Sequence, residues 1–119
     1  MSSSQSSTAR GRAAEALAAT FLEQKGFVIL ARNHRVGRDE IDLVALDGAT
    51  LVCVEVRSCR AGAMVHPLET LTYAKRAKMR RSAARLSVER RVADVRVDVV
   101  VVVDGVPELI EGAIDFSER

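Results

Sequence analysis

Aromatic side chains are almost missing from this chain. They make up 3% of its 119 residues, and there is no tryptophan. Its core must therefore be packed from Val, Leu, Ile and Ala. The same scarcity excludes a protein that grips single strands by stacking bases on aromatic platforms. Cysteine is scarce too. Cys53 and Cys59 are the only two and lack metal-motif spacing, so they read as reduced thiols of a cytoplasmic protein. No apolar run exceeds the five residues 99–103, far too few to span a bilayer. No apolar stretch follows the opening Met-Ser-Ser-Ser, so no secretory leader and no membrane contact are expected. A nucleophile elbow, a phosphate-binding glycine loop and a dinucleotide fingerprint are all absent, which leaves acyl transfer, nucleotide hydrolysis and hydride transfer without support. His34 and His66 have no second His or Cys at ligand spacing, which argues against zinc.

What is present begins with an ordinary soluble balance, 48% hydrophobic and 29% charged, enough for one core. The net charge of +2 is small, but it is unevenly placed. Residues 75–91 hold eight Lys or Arg against one acid, Glu89. Residues 1–9 are Ser-rich and expected to form a disordered tail. The remainder, 10–119, reads as a single α/β domain. Helical spacing of Ala14, Leu17, Ala18, Phe21 and Leu22 predicts a helix over 10–25, ended by Gly26. A short apolar strand over 27–31 follows, then a polar loop over 33–38 with His34, Arg35 and Arg38. Residues 60–65, with Gly62, read as a flexible connection. His66-Pro67-Leu68-Glu69 opens a second helix that runs to Glu89. The Val-rich segment 95–103 predicts a strand covered on both faces and interrupted by Asp98. A turn at Asp104-Gly105 leads to a last strand over 109–116 with a frayed end. The order is helix, three strands, helix, strand, strand: a mixed sheet with a helix on each side.

The most informative stretch is 40–57. Glu40-Ile41-Asp42-Leu43 and Val52-Cys53-Val54-Glu55-Val56-Arg57 alternate on either side of Asp47-Gly48, a strong hairpin signal. With Gly48-Ala49 as the loop, Asp42 lies opposite Glu55 and Glu40 opposite Arg57. With Asp47-Gly48 as the loop, Glu40 faces Glu55. Either way, carboxylates crowd one face at a cost of up to roughly 1 kcal/mol in the open, and a divalent cation or a basic group would offset it. A solvated pairing of Glu55 with Arg57 is the plain alternative. Lys75 is the least expected residue of the second helix. It follows Leu68 and Leu71 and precedes Met79, Ser82 and Leu86 at helical spacing, which puts it in the inward stripe. Its ammonium either snorkels to water or meets the acidic face of the sheet. Arg76, Lys78, Arg80, Arg81 and Arg85 mostly face outward, suited to solvent or to phosphate. Hard oxygen ligands beside cations suit Mg²⁺ or Mn²⁺ and phosphodiester chemistry.

In this order Glu15, Gly26, Asn33, Glu40-Ile41-Asp42-Leu43, Val54-Glu55-Val56, Arg60, Pro67, Lys75 and Asp98-Val99 resemble the pattern of the bacterial YraN-like family, over roughly residues 11–116. That family looks like a branch of the PD-(D/E)xK nuclease superfamily, similar in fold to archaeal Holliday-junction resolvases. The resemblance implies a restriction-endonuclease-like αβββαβ core. It implies Asp42 and Glu55 as ligands of Mg²⁺ or Mn²⁺, Glu15 as an outer carboxylate, and Glu40 in an assisting role. Where the family carries its motif lysine this chain has Arg57, which stays charged and cannot serve as a base. The catalytic set expected is Asp42, Glu55, Arg57 and Lys75, with Lys75 a candidate for the missing amine. Arg35, Arg38, Arg60, Arg76, Lys78, Arg80 and Arg81 would contact DNA, with branched DNA a candidate substrate, and pairing of two copies follows by analogy with the resolvases. Further departures are Asp39 where the family has Gly, which adds an acid near the expected site, and Cys53 and Val97 where it has Phe. A nuclease-like protein is the leading expectation. A silent binding module or a protein-interaction domain of the same fold is the alternative.

Overall fold

The computed structural model describes residues 3–62, 64 and 66–116, with side chains from residue 11 onward. Helix α1 spans Ser3–Gln24. Its inward face carries Ala14, Ala18, Ala19 and Leu22, all buried. It begins well before residue 10, so residues 3–9 continue the helix instead of forming the expected tail. No Gly or Pro intervenes between Ser3 and Arg10 to stop it; residues 1 and 2 of that tail lie outside the described residues. The far end closes as expected at Gly26, whose φ is +95°. Phe27 N donates to Leu22 O and Gly26 N to Glu23 O, both at 3.0 Å, which satisfies carbonyls the helix leaves open.

Five strands follow: β1 (Val28–Val36), β2 (Asp39–Asp47), β3 (Thr50–Cys59), β4 (Val95–Val103) and β5 (Val106–Ile114). They lie in sequence order across one sheet. Only β3 and β4 are parallel, joined by a crossover through helix α2 (Tyr73–Glu89). Helix α1 covers one face over Leu43, Ala45, Val52, Val54, Val100 and Val102. Helix α2 covers the other, where Ala83 and Leu86 meet Val44, Leu51, Cys53, Val97 and Val99. The mixed sheet between two helices is the restriction-endonuclease-like αβββαβ arrangement, extended by β5. Among the described residues no helix is long and apolar enough to cross a membrane.

Three further sequence expectations are corrected. Residues 33–36 are not a loop but the second half of β1, with His34 opposite Ile41, Arg35 opposite Glu40 and Val36 opposite Asp39. An edge strand tolerates such polar residues because one side meets water. The strand is irregular, with a register shift between Ile29 and Ala31 and a left-handed Asn33 at φ 49°. The second correction concerns helix two, which is two pieces. Pro67–Thr70 forms a 3₁₀ turn, with His66 Nδ1 accepting from Leu68 N at 3.2 Å. Helix α2 then starts afresh behind Thr72, whose hydroxyl accepts from Lys75 N at 3.2 Å. The last strand starts at Val106 and ends at Ile114, directly after the turn at Asp104-Gly105. Residues 63 and 65 of the expected flexible connection, and 117–119 of the expected frayed end, lie outside the described residues.

The β2–β3 hairpin uses Gly48-Ala49 as its loop, with Asp47 opposite Thr50 and Leu43 opposite Val54. The ladder stops there. Beyond it β2 stays paired with β1 as far as Asp39, and β3 stays paired with β4 as far as Cys59. The sheet is thus split between its second and third strands at the rung where Asp42 would face Glu55.

Candidate functional site

Asp42 fills the split with its own side chain. Its Oδ2 accepts the Val56 N–H at 2.9 Å, a bond that a regular ladder would have made with a backbone carbonyl. This holds the carboxylate beside Glu55. The two acids form the floor of a cleft of about 250 Å³ that Glu40 and Arg38 border on one side and Lys75, Lys78, Met79 and Ser82 of α2 on the other. Glu55 is pushed up to about 7, first by burial, then by its hydrogen bond to Asp42 and by Asp42's charge; Lys75 and Arg57 oppose the shift. The neighbouring Asp42 carboxylate thus adds to burial in disfavouring the charged form of Glu55. Lys75 does face the acidic side of the sheet, as its place in the helix stripe predicts.

A further acid, outside the lining of the cleft, stands near Glu40. Glu15 of α1 is raised by burial and then by repulsion from Asp42 and Glu40, against Arg12 and Arg32. Between Glu15 and Glu40 stands Asn33. With its amide nitrogen toward the carboxylates, the orientation that avoids setting oxygen against oxygen, it donates to Glu15 Oε2 at 2.7 Å and Glu40 Oε1 at 3.2 Å. In the sequence Asn33 falls in the expected loop and counts among the family-pattern residues, without a role at the site; its other signal is a residue type that tolerates left-handed backbone beside a turn.

Arg57 lies two residues beyond Glu55, on the same face of β3. Its Nε is buried without a hydrogen-bond partner among the described residues. A buried N–H of this kind is a donor held ready for an oxygen. The departure at Asp39 adds no free acid to the cleft. Asp39 is stapled to α2, accepting from Ser82 Oγ at 2.8 Å and pairing with Arg81 at 3.4 Å and Lys78 at 3.6 Å. The Ser82 bond first, then the two cations, hold its carboxyl below the usual range.

The remaining basic candidates divide by place. Arg35 and Arg38 are exposed on and beside the β1–β2 turn. Arg85 packs its guanidinium against Gly37 of that turn and pairs with Glu89 at 3.2 Å. Lys78 and Arg81 are committed in part to Asp39. Arg76 is turned inward, its Nε donating to Leu71 O at 3.1 Å. Arg80 is half-buried on α2. Arg60 is not at the cleft: it borders a shallow groove of about 590 Å³ between α1 and the ends of β3 and β4. Both cysteines are free thiols, and burial pushes Cys53 up to about 12, which makes it an inert core residue.

Among the described residues no three of His, Cys, Asp and Glu converge closely enough to enclose a metal ion. The Asp42–Glu55 pair does fit a two-carboxylate anchor, the way Mg²⁺ is usually held, with water and substrate oxygens completing the shell. The crowding of these acids is the electrostatic tension a cation would relieve.

Residues 14–102 match the model of a family described as "Uncharacterised protein family UPF0102". A UPF0102 protein of Chlorobium chlorochromatii is 45% identical over 91 residues, covering 76% of this chain and 70% of the relative. One of Arthrobacter sp. is 45% identical over 96 residues, covering 79% and 81%, and one of Paenarthrobacter aurescens is 44% identical over 100 residues, covering 79% of each. The match takes in α1 from Ala14, the split hairpin, helix α2 and most of β4, and by it the chain belongs to the UPF0102 family.

Proposed function

We propose that this protein is a nuclease-like nucleic-acid-binding protein whose cleft serves Mg²⁺- or Mn²⁺-dependent cleavage of structured DNA. The observation that carries the reading is the Asp42–Glu55 pair, two carboxylates set side by side at the split of the sheet and faced by Lys75. Asp42 and Glu55 would hold the ion, with Glu15 and Glu40 at its outer rim. Such an ion lowers the pKa of bound water and neutralises a phosphate. The chain's own groups do the rest. Lys75 and the orphan Nε of Arg57 donate to phosphate oxygens and stabilise the charge that grows there. Arg57 takes no part in proton transfer. Arg35, Arg38, Lys78 and Arg81 track the backbone, with affinity that falls as salt rises.

A second reading, a binding module that does not cut, is favoured by two observations: arginine at the motif-lysine position, and no tight three-acid cluster among the described residues. Calorimetry with Mn²⁺ and Mg²⁺ on wild type and Asp42→Asn, followed by incubation with duplex, single-stranded and four-way-junction DNA, separates the two. The first reading expects ion binding and cleavage, both lost in Asp42→Asn, and cleavage lost in Lys75→Ala. Salt-dependent DNA binding with no cleavage in either ion would establish the second. Wild type that binds neither ion removes the nuclease reading.

A further inference from the structure

We infer that Asn33 is a positioning residue for the cation site, fixing Glu15 of α1 beside Asp42 through an amide clamp that also grips Glu40. The inference rests on the reading of Asp42 and Glu55 as an ion anchor and extends it to a residue outside that pair. Its ground is geometric. Asn33 of β1 lies between the Arg32–Leu43 and His34–Ile41 pairs, hence opposite Asp42 of the adjacent β2. Its backbone is left-handed, at φ 49°. That takes it out of the regular alternation of β1 and lets one amide reach carboxylates on two different elements, at 2.7 and 3.2 Å.

The residue type is well matched to the task. Glu15, Glu40 and Asp42 repel one another, and the neutral NH₂ of Asn supplies two donors without adding charge. Aspartate would add a fourth acid at the same place. A lysine or arginine would neutralise the acids and reduce their pull on a cation. Asparagine also accepts the left-handed backbone better than most residues. Because the clamp is exposed, its hydrogen bonds add little to stability. Its effect is to hold the two carboxylates still. Outer-shell partners that orient ligating carboxylates set metal affinity by 10–100-fold in comparable sites.

The test is Mn²⁺ affinity by calorimetry in wild type, Asn33→Gly, Glu15→Gln and the double variant. Glycine is the right replacement because it keeps the positive φ without strain and removes only the amide. The expected result is a roughly 10–100-fold loss in Asn33→Gly with an unchanged urea midpoint. Since Asn33 acts through Glu15, the double variant should be no weaker than the weaker single one. The side-chain NH₂ resonances of Asn33 in wild type should also move in Glu15→Gln, a readout that needs neither metal nor a folded Asn33 variant. Wild-type affinity in Asn33→Gly, losses that multiply in the double variant, or an NH₂ signal indifferent to Glu15→Gln would each overturn the clamp while leaving the anchor reading intact. No Mn²⁺ binding by wild type would overturn the anchor reading and this inference with it.

Discussion

Two aspartates in this sheet do the same local job in opposite surroundings. Asp98 and Asp42 each accept a strand N–H where a ladder is interrupted: Gly112 N at 2.8 Å and Val56 N at 2.9 Å. Asp98 is fully buried, at the register shift between β4 and β5. Its remaining capacity is taken by Arg96, which donates from Nε at 2.8 Å and from Nη2 at 3.0 Å. Arg96 reaches on to Asp47 at 3.1 Å and lies over the Phe27 ring. Asp42 has no such guanidinium. Its neighbour is another carboxylate, and the cations around it stand off across an open cleft. The fold can neutralise a buried acid completely, and does so at one interruption. At the other it sets two carboxylates side by side, with Lys75 and Arg57 offsetting only part of the repulsion, and that asymmetry separates a structural carboxylate from a candidate functional one.

The largest expected effect tests the structural side. Asp98→Ala leaves Arg96 short of its main partner and Gly112 N without an acceptor, and should cost about 3 kcal/mol in urea denaturation. A loss under about 1 kcal/mol would mean Arg96 finds solvent easily and the contrast is overdrawn. The next test uses pH. Glu55 sits at about 7 in the fold against 4.5 for the free group. Between those values the native state binds more protons than the unfolded one, so stability should fall as pH rises from about 4.5 to about 7 and then level off. The drop is on the order of 3 kcal/mol at most, and Glu55→Gln should erase it. Smaller still, Asp42→Asn keeps an acceptor for Val56 N and removes the repulsion. It should be neutral or stabilising by up to about 1 kcal/mol at pH 8, the reverse in sign of Asp98→Ala. The smallest effect is electrostatic: Lys75→Ala removes a charge that lowers Glu55, so the carboxyl midpoint read by ¹³C NMR should move upward. A midpoint that stays put would place Lys75 too far away to act.

How much of this was legible in the chain depends on how local the signal is. The register of the 40–57 hairpin was one of two loop choices, and the periodicity of both strands carried Asp42 and Glu55 to one face. The inward turn of Lys75 followed from its spacing to Leu71 and Met79. Asp98 shows in the sequence as a break in a valine run and as a position of the family pattern, but its pairing does not, because its partners combine a neighbour two residues back with an N–H from another strand. The second half of β1 looked like loop because an edge strand exposes Arg32 and Arg35 to water. Asp39 looked like an extra acid at the site. Its tie to Ser82, 43 positions on, joins two elements whose docking no local pattern encodes. Asn33 depends on a backbone angle, which residue type permits but does not dictate.

The irregularities of the outer strands bear on assembly. β1 slips register near Ile29 and turns left-handed at Asn33. β5 carries Pro107, which has no N–H to offer, and a left-handed Gly112 where its pairing with β4 shifts. A foreign strand laid along either border would meet donors and acceptors out of step, so neither border is a good template for edge-to-edge growth. The same breaks in pairing that shape the outer strands thus also guard the two borders of the sheet against extension by a further strand.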